Sequence, residues 1–112
     1  IVFLYGYIGE KMGTNYNAAT KNFVWNKAKK VDNKDSNKWR KDYCGALICY
    51  DDFGKLSEYG WEIDHYVPRY KGGSDNLSNL FPLHWKNNKL KAGNFPDYRI
   101  AVYFDGTKNV EK

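Results

Sequence analysis

Two short apolar stretches, "WEIDHYV" from residue 61 and "LFPLH" from residue 80, flank the polar segment "PRYKGGSDNLSN" and lead straight into "WKNNKLKAG". Both stretches have strand length and are bounded by turn residues. The last segment reads as a short helix closed by Gly93. The centre of the fold is therefore expected to be strand, long loop, strand, helix. One feature does not suit a core strand: Asp64 and His65 sit side by side at the end of the first stretch. Neighbours in a regular strand point to opposite faces, so the pair can serve one site only if the strand ends or twists there. Pro68 and the Gly72-Gly73 turn make an ending the expectation.

Other elements surround this centre. Residues 1 to 8 read as a short strand and 13 to 17 as a polar break. "NAATKNFVWNKAKKV" sets Ala19, Phe23, Val24, Ala28 and Val31 at helical spacing, with Asn or Thr to cap. "DNKDSNK" is a polar loop, "YCGALICY" is strand-like, and "DDFGKLSEYG" is a turn-rich connection. After Pro96, "YRIAVYFDG" alternates as a strand that ends in an Asp105-Gly106 turn. No internal repeat and no boundary is visible, so the expectation is one α+β domain over residues 1–112, with an N-terminal helix and short outer strands around the centre.

At 112 residues such a domain has only modest burial, but aromatics make up 18% of it, enough for a packed core without staples. Cys44 and Cys49, five apart, fit neither a disulfide framework nor a zinc knuckle and read as two small buried residues. No apolar run reaches the length of a membrane span. The opening "IVFLYGYIGE" is too short for a signal peptide and lacks its charged flank. The chain starts on Ile1 rather than Met, as expected of a trimmed or mature fragment. Cytoplasm is the default compartment, with secretion left open.

The net charge of +5 is unevenly spread. Residues 21 to 41 carry eight Lys or Arg against two Asp, a local +6. Residues 42 to 64 carry one Lys against six acids, a local −5, and residues 84 to 93 add three lysines and no acid. Single lysines are ordinarily solvated. Two basic segments around an acidic one suit a polyanion surface built around a cation site.

The residue types in the acidic segment fit that picture. Asp64 offers a hard oxygen for a divalent cation, and Asn88 on the following helix offers an amide oxygen. An ordinary histidine titrates near pH 6.5, so His65 can be neutral at working pH and take a proton from water. A metal anchor and a base, flanked by lysines, are what phosphodiester hydrolysis needs.

The stretch "EIDHYVPRYKGGSDNLSNLFPLHWKNNKLKAG" resembles the HNH endonucleases of the ββα-metal superfamily, in the form whose last motif residue is Asn. The pattern is Asp-His, Pro, Gly-Gly, the "DNLSNL" turn, an apolar pair, then Asn-Asn before basic residues. His65 and Asn79 are 14 apart and Asn79 and Asn88 nine apart, as in that family. The upstream "WRKDYCGALICYDDFGKLSEYGW" is similar to the lead-in of small stand-alone bacterial members. The resemblance covers roughly residues 37 to 93 and is far more specific than a lone Asp-His.

The resemblance implies a metal-dependent endonuclease that hydrolyses DNA with one Mg²⁺ or Mn²⁺. Asp64 and Asn88 would bind the metal, and His65 would be the general base. Asn79 would hold the loop that orients His65 through backbone hydrogen bonds. The cation would stabilise the departing 3′ oxygen. Lys89 or Lys91 would face phosphate, and Arg40, Lys41, Arg69, Lys71 and Lys86 complete the expected nucleic-acid contacts. His84, four residues before Asn88, invites a third-ligand reading, ranked below packing or a phosphate role. Asn87 competes with Asn88, and Glu62 can share a strand face with Asp64. Many relatives hold a structural zinc on two Cys pairs; here His84 and Asn87 stand at the second pair, so no structural zinc is expected. Binding is expected to be largely non-specific, with specificity left to a homodimer or a partner domain. A DNA-binding module of the same fold with weak turnover is the first rival reading, and a nuclease acting on RNA or as a toxin is the second.

Overall fold

The computed structural model describes residues 16–92, 94–96 and 99–112. Helix α1 (Ala18–Trp25) starts at Asn17, whose Oδ1 accepts from the Thr20 N–H at 2.8 Å and satisfies one of the orphan donors of the first turn. Strands β1 (Lys29–Lys30), β2 (Trp39–Lys41) and β3 (Leu47–Cys49) follow as an antiparallel sheet in that order. The central hairpin pairs β4 (Trp61–His65) with β5 (Leu80–His84), Trp61 opposite His84 and His65 opposite Leu80. Helix α2 (Trp85–Lys91) begins on the next residue. A last hairpin, β6 (Val102–Phe104) with β7 (Asn109–Glu111), docks on the β2–β3 turn, where the Phe104 N–H donates to the Gly45 carbonyl at 2.8 Å. The fold is α+β, with two helices and three small sheets among the described residues. None of these helices is long and apolar enough to cross a membrane. The strand expected over residues 1–8, most of the break at 13–17 and the closing Gly93 lie outside the described residues.

The core is aromatic. Trp61 is fully buried and meets Trp25 at 5.3 Å and Phe53 at 4.7 Å between ring centroids, with Val24, Ile48, Ile63 and Leu80 around them. Rings of this size bury much surface per residue, which is how a short chain closes a core.

Two expectations need correction. The helix expected through residue 31 ends at Trp25, and Ala19 and Phe23 face solvent. The Lys27 and Ala28 N–H groups tighten into three-residue turns, and Arg40 takes the Asn26 and Ala28 carbonyls at 3.2 Å, which pulls the chain out of the helix and into β1. The strand expected over "YCGALICY" keeps only Leu47–Cys49, behind a turn at 42–46, and a strand where the sequence assigned no element, β2, precedes that turn. With "WRK" at its centre it carries no apolar alternation; its pairing is set by its neighbours.

Candidate active site

β4 alternates as a half-buried strand must. Trp61 and Ile63 enter the core, while Glu62 and Asp64 take the other face, beneath α2. Asn88 and Lys91, three apart on α2, share the side of the helix that meets them. The Asn88 Nδ2 donates to Glu62 Oε1 at 2.7 Å. The Lys91 Nζ donates to Asp64 Oδ1 at 2.8 Å and to the His65 carbonyl at 2.7 Å. Asp64 Oδ2 accepts from the Tyr43 hydroxyl at 3.0 Å, across from the β2–β3 turn. Asp64 and Lys91 are each only 4% exposed. Burial drives the Asp64 carboxyl above the usual range, opposed by the Lys91 ammonium and the Tyr43 hydroxyl. Glu62 is also raised, first by burial and further by the charge of Asp64, against the hydrogen bond from Asn88.

His65 is the last residue of β4, so the strand ends where the sequence places the Asp-His pair. The imidazole side chain is 10% exposed, and its Nε2 lies 2.7 Å from Asp75 Oδ1. Arg69 donates through Nη2 to the same oxygen at 2.9 Å, and its Nε approaches His65 Nε2 at 3.3 Å. One nitrogen cannot donate to Asp75 and accept from Arg69 together. A carboxylate only accepts, so the shorter contact assigns the Nε2 proton, and the Arg69 Nε contact is a close approach without donation. The neutral ring then carries its lone pair on Nδ1, which no described residue contacts. The bond from His65 is also the main cause that holds the exposed Asp75 carboxyl below its ordinary range.

The loop from Tyr66 to Asn79 is fastened at its ends. Asn79 Oδ1 accepts from the Val67 N–H at 2.9 Å, its Nδ2 donates to the Val67 and Ser74 carbonyls at 3.1 and 2.8 Å, and its own carbonyl accepts from the Tyr66 N–H at 2.8 Å. Gly73 is packed so closely that a Cβ there would lie 1.7 Å from the Val67 carbonyl oxygen. The turn beside His65 thus has one geometry, and it returns Asp75 to the imidazole.

The HNH endonuclease family model matches residues 42–92, which include β3, the β4–β5 hairpin, the clamped loop and α2. Over that segment the chain is similar to the HNH endonucleases. No curated protein and no solved structure matches the chain.

A divalent cation of the Mg²⁺ type needs hard oxygen donors. Glu62, Asp64 and Asn88 offer hard oxygens at one strand–helix junction, and no described residue donates to Asn88 Oδ1. Among the described residues no group of three or more His, Cys, Asp and Glu side chains converges as a cage. Two raised carboxyls and one amide suit an ion that keeps most of its shell for water and phosphate. Lys91 now supplies the positive charge at Asp64, so a cation there shares that carboxylate with the ammonium or displaces it.

Other expected site residues lie elsewhere. Asn87 is fully buried, with Nδ2 on Asp42 Oδ2 and the Val102 carbonyl, both at 3.1 Å, and Oδ1 accepting from the Ala101 and Val102 N–H groups at 2.8 and 2.9 Å. It ties α2 to β6 and has nothing left for a metal. His84 accepts the Lys86 N–H on Nδ1 at 3.0 Å and donates from Nε2 to the Glu58 carbonyl at 2.7 Å, which leaves no lone pair for a ligand role. Burial holds it below the ordinary histidine range, and so neutral. Arg40, expected on phosphate, is buried; its guanidinium takes the Ser36, Asn26 and Ala28 carbonyls. Lys91 is likewise inside the site rather than on the surface. Arg69 is held by Asp75, and Lys86 by Glu111 at 2.7 Å. Lys71 and Lys89 are exposed and Lys41 half-buried.

Three residues of the region escaped sequence reasoning. Asp75 lies inside "GGSDN", where it reads as a turn acid, and Tyr43 reads as one of ten tyrosines. Asp42 receives the Cys44, Ala46 and His84 N–H groups and Asn87 Nδ2, and so joins the β2–β3 turn to the start of α2.

Proposed function

We propose that the chain is a metal-dependent endonuclease, a single domain built on a ββα-metal core formed by β4, β5 and α2, with DNA as its substrate. The observation that carries this reading is the pairing of a fixed histidine with the oxygen donors beside it. His65 Nε2 is anchored on Asp75 at the end of β4, while the preceding residue, Asp64, faces Asn88 and Glu62 under α2. His65 Nδ1 accepts a proton from the attacking water, and Asp75 steadies the ring as it becomes positive. Asp64 and Asn88, with Glu62 beside them, would hold Mg²⁺ or Mn²⁺. The cation, when bound, polarises the phosphodiester and stabilises the departing 3′ oxygen. Asn79 fixes the loop, so that His65 and Asp75 meet in one geometry. The exposed lysines hold the rest of the strand through phosphate contacts that carry no sequence information.

Plasmid cleavage in Mg²⁺, Mn²⁺ and EDTA tests the reading. A general base contributes roughly 10²–10⁴ in rate, so His65→Ala should lose about that factor while DNA binding persists. Cleavage by His65→Ala within a few-fold of wild type would remove His65 as the base. Cleavage that persists in EDTA would remove the metal.

A further inference from the structure

A second basic feature lies beside the candidate metal site and plays no part in the chemistry above. β1 and β2 pair with Lys29 directly opposite Lys41. Directly opposed residues have Cβ atoms about 4.5–5.5 Å apart, and like charges there are destabilising. Neither ammonium has an ion pair or hydrogen bond among the described residues. Both line a pocket of about 290 Å³ together with Lys27, Tyr43, Phe81 and Pro82. The acid in its lining is Asp42, whose oxygens are already committed to four N–H donors. Lys27 is fixed, with Nζ on the Leu80 carbonyl at 2.7 Å and 4.3 Å from the Phe81 ring centroid. The pocket therefore keeps uncompensated positive charge on one wall and aromatic rings on the other.

Its position gives that charge a meaning. Tyr43 is 43% exposed and bonds through its hydroxyl to Asp64, and Phe81 is the cross-strand partner of Asp64. One layer of side chains thus separates the pocket from the candidate metal site. We propose that this pocket holds the nucleotide next to the scissile phosphate, its phosphate on Lys29 and Lys41 and its base against Tyr43. A base can lie on an aromatic ring only when it is unpaired, so the substrate strand is single or opened at this position. The inference rests on the nuclease reading and adds the state of the strand.

The test is fluorescence anisotropy with labelled oligonucleotides in EDTA, where no strand is cut. The arms are a single-stranded DNA, the same sequence as RNA, and the blunt DNA duplex. Lys29→Glu/Lys41→Glu is compared with Lys108→Glu/Lys112→Glu, the same charge change at the β6–β7 hairpin, with folding checked by circular dichroism. The wild type should prefer single strands to the duplex, and the tighter of the two single-stranded arms identifies the sugar. The first variant should bind single strands at least tenfold more weakly, with a log–log salt slope smaller by about 0.7, the share of the one phosphate that the two lysines hold. The hairpin variant should keep the wild-type slope. Equal weakening by both variants, or a duplex bound as tightly as the single strand, overturns the proposal. If no arm is cut when Mg²⁺ or Mn²⁺ is restored, yet the slope changes as stated, the nuclease reading fails and the pocket stands.

Discussion

Two buried polar clusters lie on either side of the β5–α2 junction, and their bonding differs. Around Asp42, both carboxylate oxygens receive N–H donors from the β2–β3 turn, from His84 and from Asn87, and Asn87 in turn uses its own oxygen and amide fully. Around Asp64, the Lys91 ammonium pairs with one of two raised carboxyls, Glu62 has only the Asn88 amide, and Asn88 keeps an oxygen to which no described residue donates. Burial raises Asp42 too, but the listeners around it are fixed backbone and amide donors rather than a second acid. A closed network holds a fold in one arrangement. A network with two acids and an uncontacted amide oxygen has bonding capacity left over. The same residue types, Asp with Asn beside one helix, are thus fully bonded in one cluster and incompletely bonded in the other.

The sharpest way to break that contrast is to make each cluster apolar. Replacing a buried ion pair by hydrophobic residues is often neutral or stabilising. Asp64→Leu/Lys91→Met should therefore keep the unfolding free energy from urea melts within about 1 kcal/mol of wild type or raise it, while cleavage disappears. Asp42→Ala leaves several buried N–H groups without an acceptor and should cost about 3–5 kcal/mol, or prevent folding. Equal destabilisation by the two changes would mean that both clusters are structural.

A smaller effect is expected at Asp75, whose proposed role is to position His65. Asp75→Ala should lower kcat by about 10–100-fold with little change in KM or in the melting temperature, the usual scale for a partner that orients a reacting group. A raised KM with unchanged kcat would assign Asp75 and Arg69 to substrate binding instead.

The smallest expected effect is a pH dependence on the structural side. Burial lowers the folded-state pKa of His84, opposed by the Glu58 carbonyl, with the Lys86 charge lowering it further and the buried Asp42 bonded to its backbone N–H. A depressed histidine means that the unfolded chain binds the proton first, so stability falls as pH drops below the unfolded value near 6.5. The slope from this one group is at most about 1.4 kcal/mol per pH unit. The raised acids act in the opposite direction in a lower window, above their ordinary values near 4, where the folded state takes up protons first. Urea melts of wild type and His84→Gln between pH 7 and 5.5 isolate the histidine: the wild type should lose stability faster than the variant. Parallel curves would show that His84 is not held neutral.

The central unit was legible because its signals are local. β5 matches "LFPLH" residue for residue, β4 ends at His65 as the Pro and Gly-Gly turn downstream require, and α2 starts on Trp85. Asn79 bonds to the Val67 N–H and to the Val67 and Ser74 carbonyls, all within the loop that it closes. What failed depends on residues distant in sequence. Arg40 looks like a surface cation until its guanidinium finds carbonyls at Asn26 and Ala28, and the same contacts end α1 early. Lys29 and Lys30 form a strand only because β2 lies beside them. Asn87 and Asn88 are equivalent in sequence; one turns to Asp42 and the other to Glu62, a choice set by which sheet each side of α2 meets.

The central claim is that Glu62, Asp64 and Asn88 form a cation site, and direct titration of Mn²⁺ by calorimetry without nucleic acid tests it. The wild type should bind one ion, Asp64→Ala should show no binding heat, and Asn88→Ala and Glu62→Gln should each weaken the affinity, while Asn87→Asp, on the opposite side of α2, should not create or strengthen a site. Asp64→Ala binding Mn²⁺ with the affinity of the wild type would contradict the account.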